Sequence, residues 1–364
     1  MGSKTAGICV SCQNSAKNAT ESGYNYRIDS YFVISLLYST SLHSNYTGAS
    51  VYAEELLDTT TFKTSSQASQ YLRQLTCITA LGGGHGLGRL LYTLKFMRKR
   101  LVGVVATTDN GGSTGLLRDA HECIAWGDIR NCLSQLAQQP LAADLLNYRF
   151  PEGPSLKGHS FGNLLLYTLN ELSARPIDSI QLLSRLLKVS NRVLPMSETP
   201  TDLVADTLEN MHCFGEIRID ALAHMPSRLS LSPQVEATPE VLEHILNSEL
   251  ILLGPGSFLT SVMPPLLIDD IQHAIAQSGA QIIYVDNLVA ENSPAGRLTT
   301  LERLNWLEQH LQGTKINAVI SPNTTEITHI PVINTVKAEQ DTEHRHDSES
   351  LLIAIAQAHS QLKR

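Results

Sequence analysis

Residues Gly158–Gly162 read GHSFG, the GxSxG spacing that in α/β hydrolases lifts a nucleophilic serine clear of a sharp strand-to-helix turn. The preceding PEGPSLK holds two prolines, a glycine and two charges, so no strand can feed such a turn. Ser160 is expected instead to cap a helix whose packed face is Leu164, Leu165, Tyr167, Leu169 and Leu172, with His159 and Asn163 on its first turn facing a ligand crevice.

Glycine clusters are the stronger chemical signal. LGGGHGLGRLL, Leu81–Leu91, lies where an apolar run gives way to a helical pattern. There Gly82, Gly83, Gly84, His85 and Gly86 can bring backbone amides and a helix N-terminus against a phosphate, an approach a Cβ would obstruct. Neither familiar phosphate-binding pattern fits, because Leu87 or Arg89 falls on the last glycine of GxGxxG and Arg89-Leu90 stands where a P-loop carries Lys-Ser/Thr.

TTDNGGSTGLLR, Thr107–Arg118, has the same placement: Asp109 and Asn110 suit a ribose or an ion, and Gly111, Gly112 and Ser113 suit an anion-accepting turn. LILLGPGS supplies a third such junction in Gly254, Gly256 and Ser257. In WGDIRNCL, Asp128 and Asn131 are polar groups on an otherwise apolar helix, with capping as the competing role for Asp128. EHRH, Glu343–His346, offers metal-binding side chains without two-turn helical spacing and reads as a solvated loop.

The elements that must hold these residues follow from periodicity. ITAL, VGVVA and LILL are apolar throughout rather than alternating, as in strands buried on both faces, and they alternate with helical patterns over 128–148, 159–172 and 176–188. A parallel sheet covered on both faces is expected, with a small strand-rich insertion near 193–232. Residues 1–74 differ in composition and are expected to form a partly disordered extension whose one element is a short helix before Leu75.

With 27 Lys+Arg against 35 Asp+Glu the formal charge is −8, which excludes a broad nucleic-acid footprint. No apolar run approaches a membrane span and no secretory leader precedes the fold, so a cytoplasmic protein with no membrane partner is expected. The six cysteines are too scattered for a disulfide framework. Self-association is left open.

In order, GGGHGLG, TTDNGGSTG, WGDIRNCL, GHSFGNLLL and LGPGS resemble the bacterial gluconeogenesis-factor family within the CofD-like, 2-phospho-L-lactate transferase superfamily, over residues 75–364. The resemblance implies a Rossmann-like three-layer α/β/α fold and a nucleotide-containing ligand at the strand ends. In the gluconeogenesis-factor branch it implies UDP-sugar binding linked to cell shape and cell-wall precursor supply. The transferase branch moves a phospholactyl group from a guanosine diphosphate carrier to a deazaflavin alcohol with Mg²⁺. Its second glycine loop resembles an Asp-Asp pair, whereas this chain has Asp109-Asn110. Asn lacks the charge that helps a carboxylate hold a metal, which places catalysis in doubt. Asp109 is the candidate catalytic residue, and Asp109 with Asp128 the candidate Mg²⁺ ligands.

Overall fold

The computed structural model describes residues 62–153, 155–209, 211–323 and 329–363. Its spine is a seven-stranded sheet of Ile78–Gly82 (β1), Leu101–Val105 (β2), Arg192–Pro195 (β3), and four later strands. A separate antiparallel sheet is made by Asp202–Asp206 (β4), His212–Phe214 (β5) and Arg228–Ser232 (β6), with β4 central. The main sheet resumes with Leu250–Leu253 (β7), Gln281–Val285 (β8), Ala318–Ile320 (β9) and Val332–Ile333 (β10). A hairpin of Ala338–Glu339 (β11) and Thr342–His346 (β12) completes the strands.

The spatial order is β10-β9-β8-β7-β1-β2-β3, and every neighbouring pair is parallel. The chain proceeds outward from β1 through β2 to β3, then returns to lay β7 on the other side of β1. That reversal makes β1/β7 the topological switch point, where the connections leave in opposite directions and open a crevice beyond the carboxyl ends. The registers bring those ends level, with Leu81 opposite Leu253 and Gly82 opposite Val105.

Two cores explain the three layers. On one face Ile78, Ala80, Leu250, Leu252, Ile283 and Val285 pack with the helices Ser65–Leu72, Gly84–Thr93, Trp126–Leu136 and Ser348–Leu362. On the other, Leu81, Val102, Val104, Ile251, Leu253 and Tyr284 pack with Pro239–Leu246, Asp269–Ser278 and Thr300–His310. Buried on both sides, the strands have no polar face to show, which is why they read as unbroken apolar runs.

Several expectations are corrected. The insertion begins after β3, not at 193, because Val193 and Leu194 pair with β2 in the main sheet. The helix read over 128–148 is two helices, Trp126–Leu136 and Pro140–Asn147, since Pro140 lacks the N–H that would continue the first. The helix read before Leu75 spans Ser65–Leu72, and its Ala68 and Leu72 are fully buried in the first core. Tyr71 Oη lies 3.0 Å from His359 Nδ1 on the last helix, so these residues belong to the folded body. The rest of the expected extension, residues 1–61, lies outside the described residues.

Candidate functional site at the switch point

The glycine turns after β1 and β7 face each other across a cleft of about 690 Å³. Gly83, Gly84, His85 and Gly86 form one lip, Pro255, Gly256 and Ser257 the other, and Asp128 closes the floor between them. The helix Gly84–Thr93 starts here with no side-chain cap on Gly83, leaving its first-turn amides aimed at the cleft as a ready anion site. Two glycines are demanded by geometry. Gly84 has φ +55°, and a Cβ on Gly86 would run into the Pro255 carbonyl.

Asn287, just past β8, holds the second lip. Its Oδ1 accepts from the Gly256 N–H at 3.1 Å, and its Nδ2 donates to the Gly256 carbonyl at 2.9 Å. Ser257 Oγ donates to Asp220 at 3.2 Å, and the Phe258 N–H donates to Glu291 at 3.2 Å. Both carboxyls also line the cleft.

Asp128 stands in the first turn of Trp126–Leu136, whose N-cap, Ala125, makes no side-chain bond. Instead of capping its own helix, it lays its carboxyl against Gly83 and Gly84 at the start of the helix Gly84–Thr93. Its pKa is raised to about 7, by burial first and by Asp109 second, against hydrogen bonds from Gly84 and Asn131 and the Arg130 charge. Glu216, which accepts from Thr108 Oγ1 at 3.0 Å, is pushed well above the carboxylate range by burial, then by Asp128 and Asp109. Asp109 therefore makes itself felt from behind the cleft. Its Oδ1 accepts from the Gly111 N–H at 2.7 Å, and its Oδ2 lies against Gly127, the neighbour of Asp128.

The residues singled out from sequence thus divide. Gly83, Gly84, His85, Gly86, Asp128, Gly256 and Ser257 share the cleft, with Gly82 and Gly254 at the strand ends directly behind them. Asn110 instead lines a neighbouring cavity of about 580 Å³, and its Oδ1 accepts from the Ile217 N–H at 3.4 Å. Gly111 and Gly112 start the helix Gly112–Ala120, and Ser113 Oγ accepts from the Ser160 N–H at 2.9 Å.

Asn163 is buried in a polar bracket, accepting from Arg130 Nε at 3.0 Å and donating to Thr114 at 3.2 Å. Asn131 is 7% exposed beside Asp128, and the His159 Nδ1 is buried without a partner. His159 and Asn163 are not among the cleft-lining residues. Ser160 is fully buried and accepts from the Asn163 N–H as the N-cap of Phe161–Glu171, which excludes an exposed nucleophile. That helix buries Leu166 completely and leaves Leu172 exposed, correcting the face expected for it.

Other cleft residues carry no sequence motif. Glu216 and Asp220 sit on a one-turn helix after β5, and Asn287 and Glu291 follow β8. EHRH is strand β12 rather than a solvated loop, and its His344, Arg345 and His346 border the same cleft. Arg89 fastens this hairpin down, donating to the His346 carbonyl at 2.8 Å and pairing with Glu339 at 3.0 Å. The hairpin offered no periodic signal, since β11 has two residues and β12 is polar and exposed over most of its length.

Among the described residues no group of three or more His, Cys, Asp or Glu side chains is arranged to enclose a metal ion. The Asp109–Asp128 pair still suits Mg²⁺, which commonly takes one or two carboxylates and completes its shell with phosphate oxygens and water. No helix among them is long and apolar enough to cross a membrane.

Comparison with known proteins agrees with this architecture. The family described as 2-phospho-L-lactate transferase CofD matches residues 78–361. A Yersinia pestis protein named "Putative gluconeogenesis factor" is 45% identical over 296 residues, covering 80% of this chain and 96% of that one. The Bacillus subtilis "Gluconeogenesis factor" is 33% identical over 236 residues, 64% of this chain and 74% of that one. A crystal structure of a UPF0052-family protein from Bacillus halodurans superposes with a TM-score of 0.71 at 28% identity, covering 77% of this chain and 99% of that chain. The chain belongs to the CofD family and is similar, over most of its length, to the members named gluconeogenesis factors.

Proposed function

We propose that this chain is a cytoplasmic nucleotide-sugar-binding protein of regulatory type, taking a UDP-sugar at the β1/β7 switch point and linking cell-wall precursor supply to cell shape. The observation that carries the reading is the meeting of two glycine turns, each at the carboxyl end of a buried parallel strand, across one cleft. Backbone amides of His85 and Gly86, with that of Ser257 across the cleft, suit a diphosphate, and a volume of about 690 Å³ lies in the range of small-molecule sites. His85, Arg89 and Arg345 add positive or neutral donors on the same side. Calorimetric titration with UDP-N-acetylglucosamine tests this directly. Saturable binding is expected, and silence at millimolar ligand removes the proposal.

A second reading, Mg²⁺-dependent phospholactyl transfer from a nucleoside-diphosphate carrier to a deazaflavin acceptor, is favoured by one feature. Asp109 and Asp128 bring two acids together near the first lip, where burial first and the Asp109 charge second raise the Asp128 pKa. Mg²⁺ there would supply charge neutralisation to the phosphates, while Asp128 and Asp109 would hold it and the glycine amides would orient the diphosphate. Incubation with carrier, acceptor and Mg²⁺ decides: release of GMP supports transfer, and bound ligand with no GMP leaves the binding role alone.

A further inference from the structure

The cleft carries both signs of charge. Arg89 and Arg345, with His85 and His344, line it together with Asp128, Glu216, Asp220 and Glu291. Asp220 and Glu291 are tied to Ser257 and Phe258 beside the second lip, and Glu216 shares a one-turn helix with Asp220. All four acidic groups are pushed above their usual range, by burial first in every case. Neighbouring carboxylates add to the rise for Asp128 and Glu216. Three of them accept hydrogen bonds from the protein: Glu216 from Thr108, Asp220 from Ser257 and Thr260, Glu291 from Phe258. A carboxylate offers about four acceptor sites, so these few donors leave capacity for hydroxyls of a ligand.

A further polar group borders the same cleft. His346 is 3% exposed, and its Nε2 has no hydrogen-bond partner.

We infer that the acidic wall makes this site selective for nucleotides carrying a neutral, hydroxyl-rich sugar and excludes those whose sugar bears a carboxylate. The inference rests on the nucleotide-sugar reading above. Sugar hydroxyls donate to Glu216, Asp220 and Glu291, which neutral sugars satisfy without adding charge. A uronate is acceptor-only when ionised, so it donates nothing to these acids, and beside any of them that is ionised it adds a like charge in a partly desolvated cleft. The diphosphate escapes this penalty by lying chiefly against the His85 and Gly86 amides and the guanidinium groups of Arg89 and Arg345.

UDP-glucose and UDP-glucuronate differ only in CH₂OH against COO⁻ at C6, and titrating the full chain with each at pH 8 separates the possibilities. UDP-glucuronate is expected to bind about thirtyfold weaker or worse. Equal or tighter binding of the uronate overturns the inference while leaving nucleotide-sugar binding intact. Silence from both, and from UDP-N-acetylglucosamine, removes the nucleotide-sugar reading and this inference together. In the double variant Glu216→Gln/Asp220→Asn the ratio of the two affinities is expected to shrink about tenfold. An unchanged ratio, with both ligands still measurable, would take the selectivity away from this wall.

Discussion

Asp128 is the residue on which the chemistry of the cleft turns. Its carboxyl lies against Gly83 and Gly84, where the helix Gly84–Thr93 begins, so when ionised it would compete with an incoming anion for the same positive end. With a pKa near 7 it changes charge within the physiological range. The consequence for stability has a definite sign. The unfolded side chain loses its proton near pH 4 and the folded one near pH 7, so between these values the unfolded state binds fewer protons and stability falls as pH rises. Asp128→Asn abolishes that loss. The variant is expected to be more stable than the parent by about 1 kcal/mol or more at pH 8, with the advantage gone at pH 4. Thermal melts at the two pH values measure it, and a gap that does not shrink toward low pH contradicts the assignment.

At the scale of elements, the helices matter chiefly through their first turns. Gly84–Thr93 starts on Gly83, which offers no side-chain cap, whereas Phe161–Glu171 starts on Ser160, whose side chain accepts from the Asn163 N–H. The two starts predict different behaviour. Ser160→Ala should cost about 1 kcal/mol of stability, read from urea midpoints, while nucleotide-sugar affinity stays within about twofold. Complete loss of ligand-dependent function with unchanged stability would restore a chemical role to the hydroxyl. The hairpin β11–β12 illustrates the opposite lesson, because its place beside the cleft depends on Arg89, a residue some 250 positions earlier on another helix.

For the whole molecule, the limit of the fold reaches back beyond the point where strand-helix alternation becomes legible. Ser65–Leu72 packs on Ser348–Leu362, joining the first described helix to the last. Ala68 and Leu72 have no exposed surface, and removing them would uncover apolar side chains of the first core. A chain begun at Leu75 should therefore be less stable than one begun at Leu56, by about 2 kcal/mol or more from the lost burial of Leu72 alone. Equal melting midpoints for the two would show that the contact contributes nothing net.

Unbroken apolar strands after Leu75 were sufficient to indicate a parallel sheet with helices on both faces, because only double-sided burial tolerates such runs. Glycines at three strand ends marked where a ligand would approach, since backbone that close to a phosphate admits no Cβ. Which of those ends share a cleft was settled by strand order: β7 returns beside β1, so Gly83–Gly86 and Gly256–Ser257 face each other, while Asn110 turns to the next cavity. The acids Glu216, Asp220 and Glu291 and the hairpin residues Arg345 and His346 reach the site through long-range packing. A linear pattern carries local periodicity and turn chemistry, but it does not encode which distant loops the open sheet brings together, and here that closeness lines the cleft with residues of both charges.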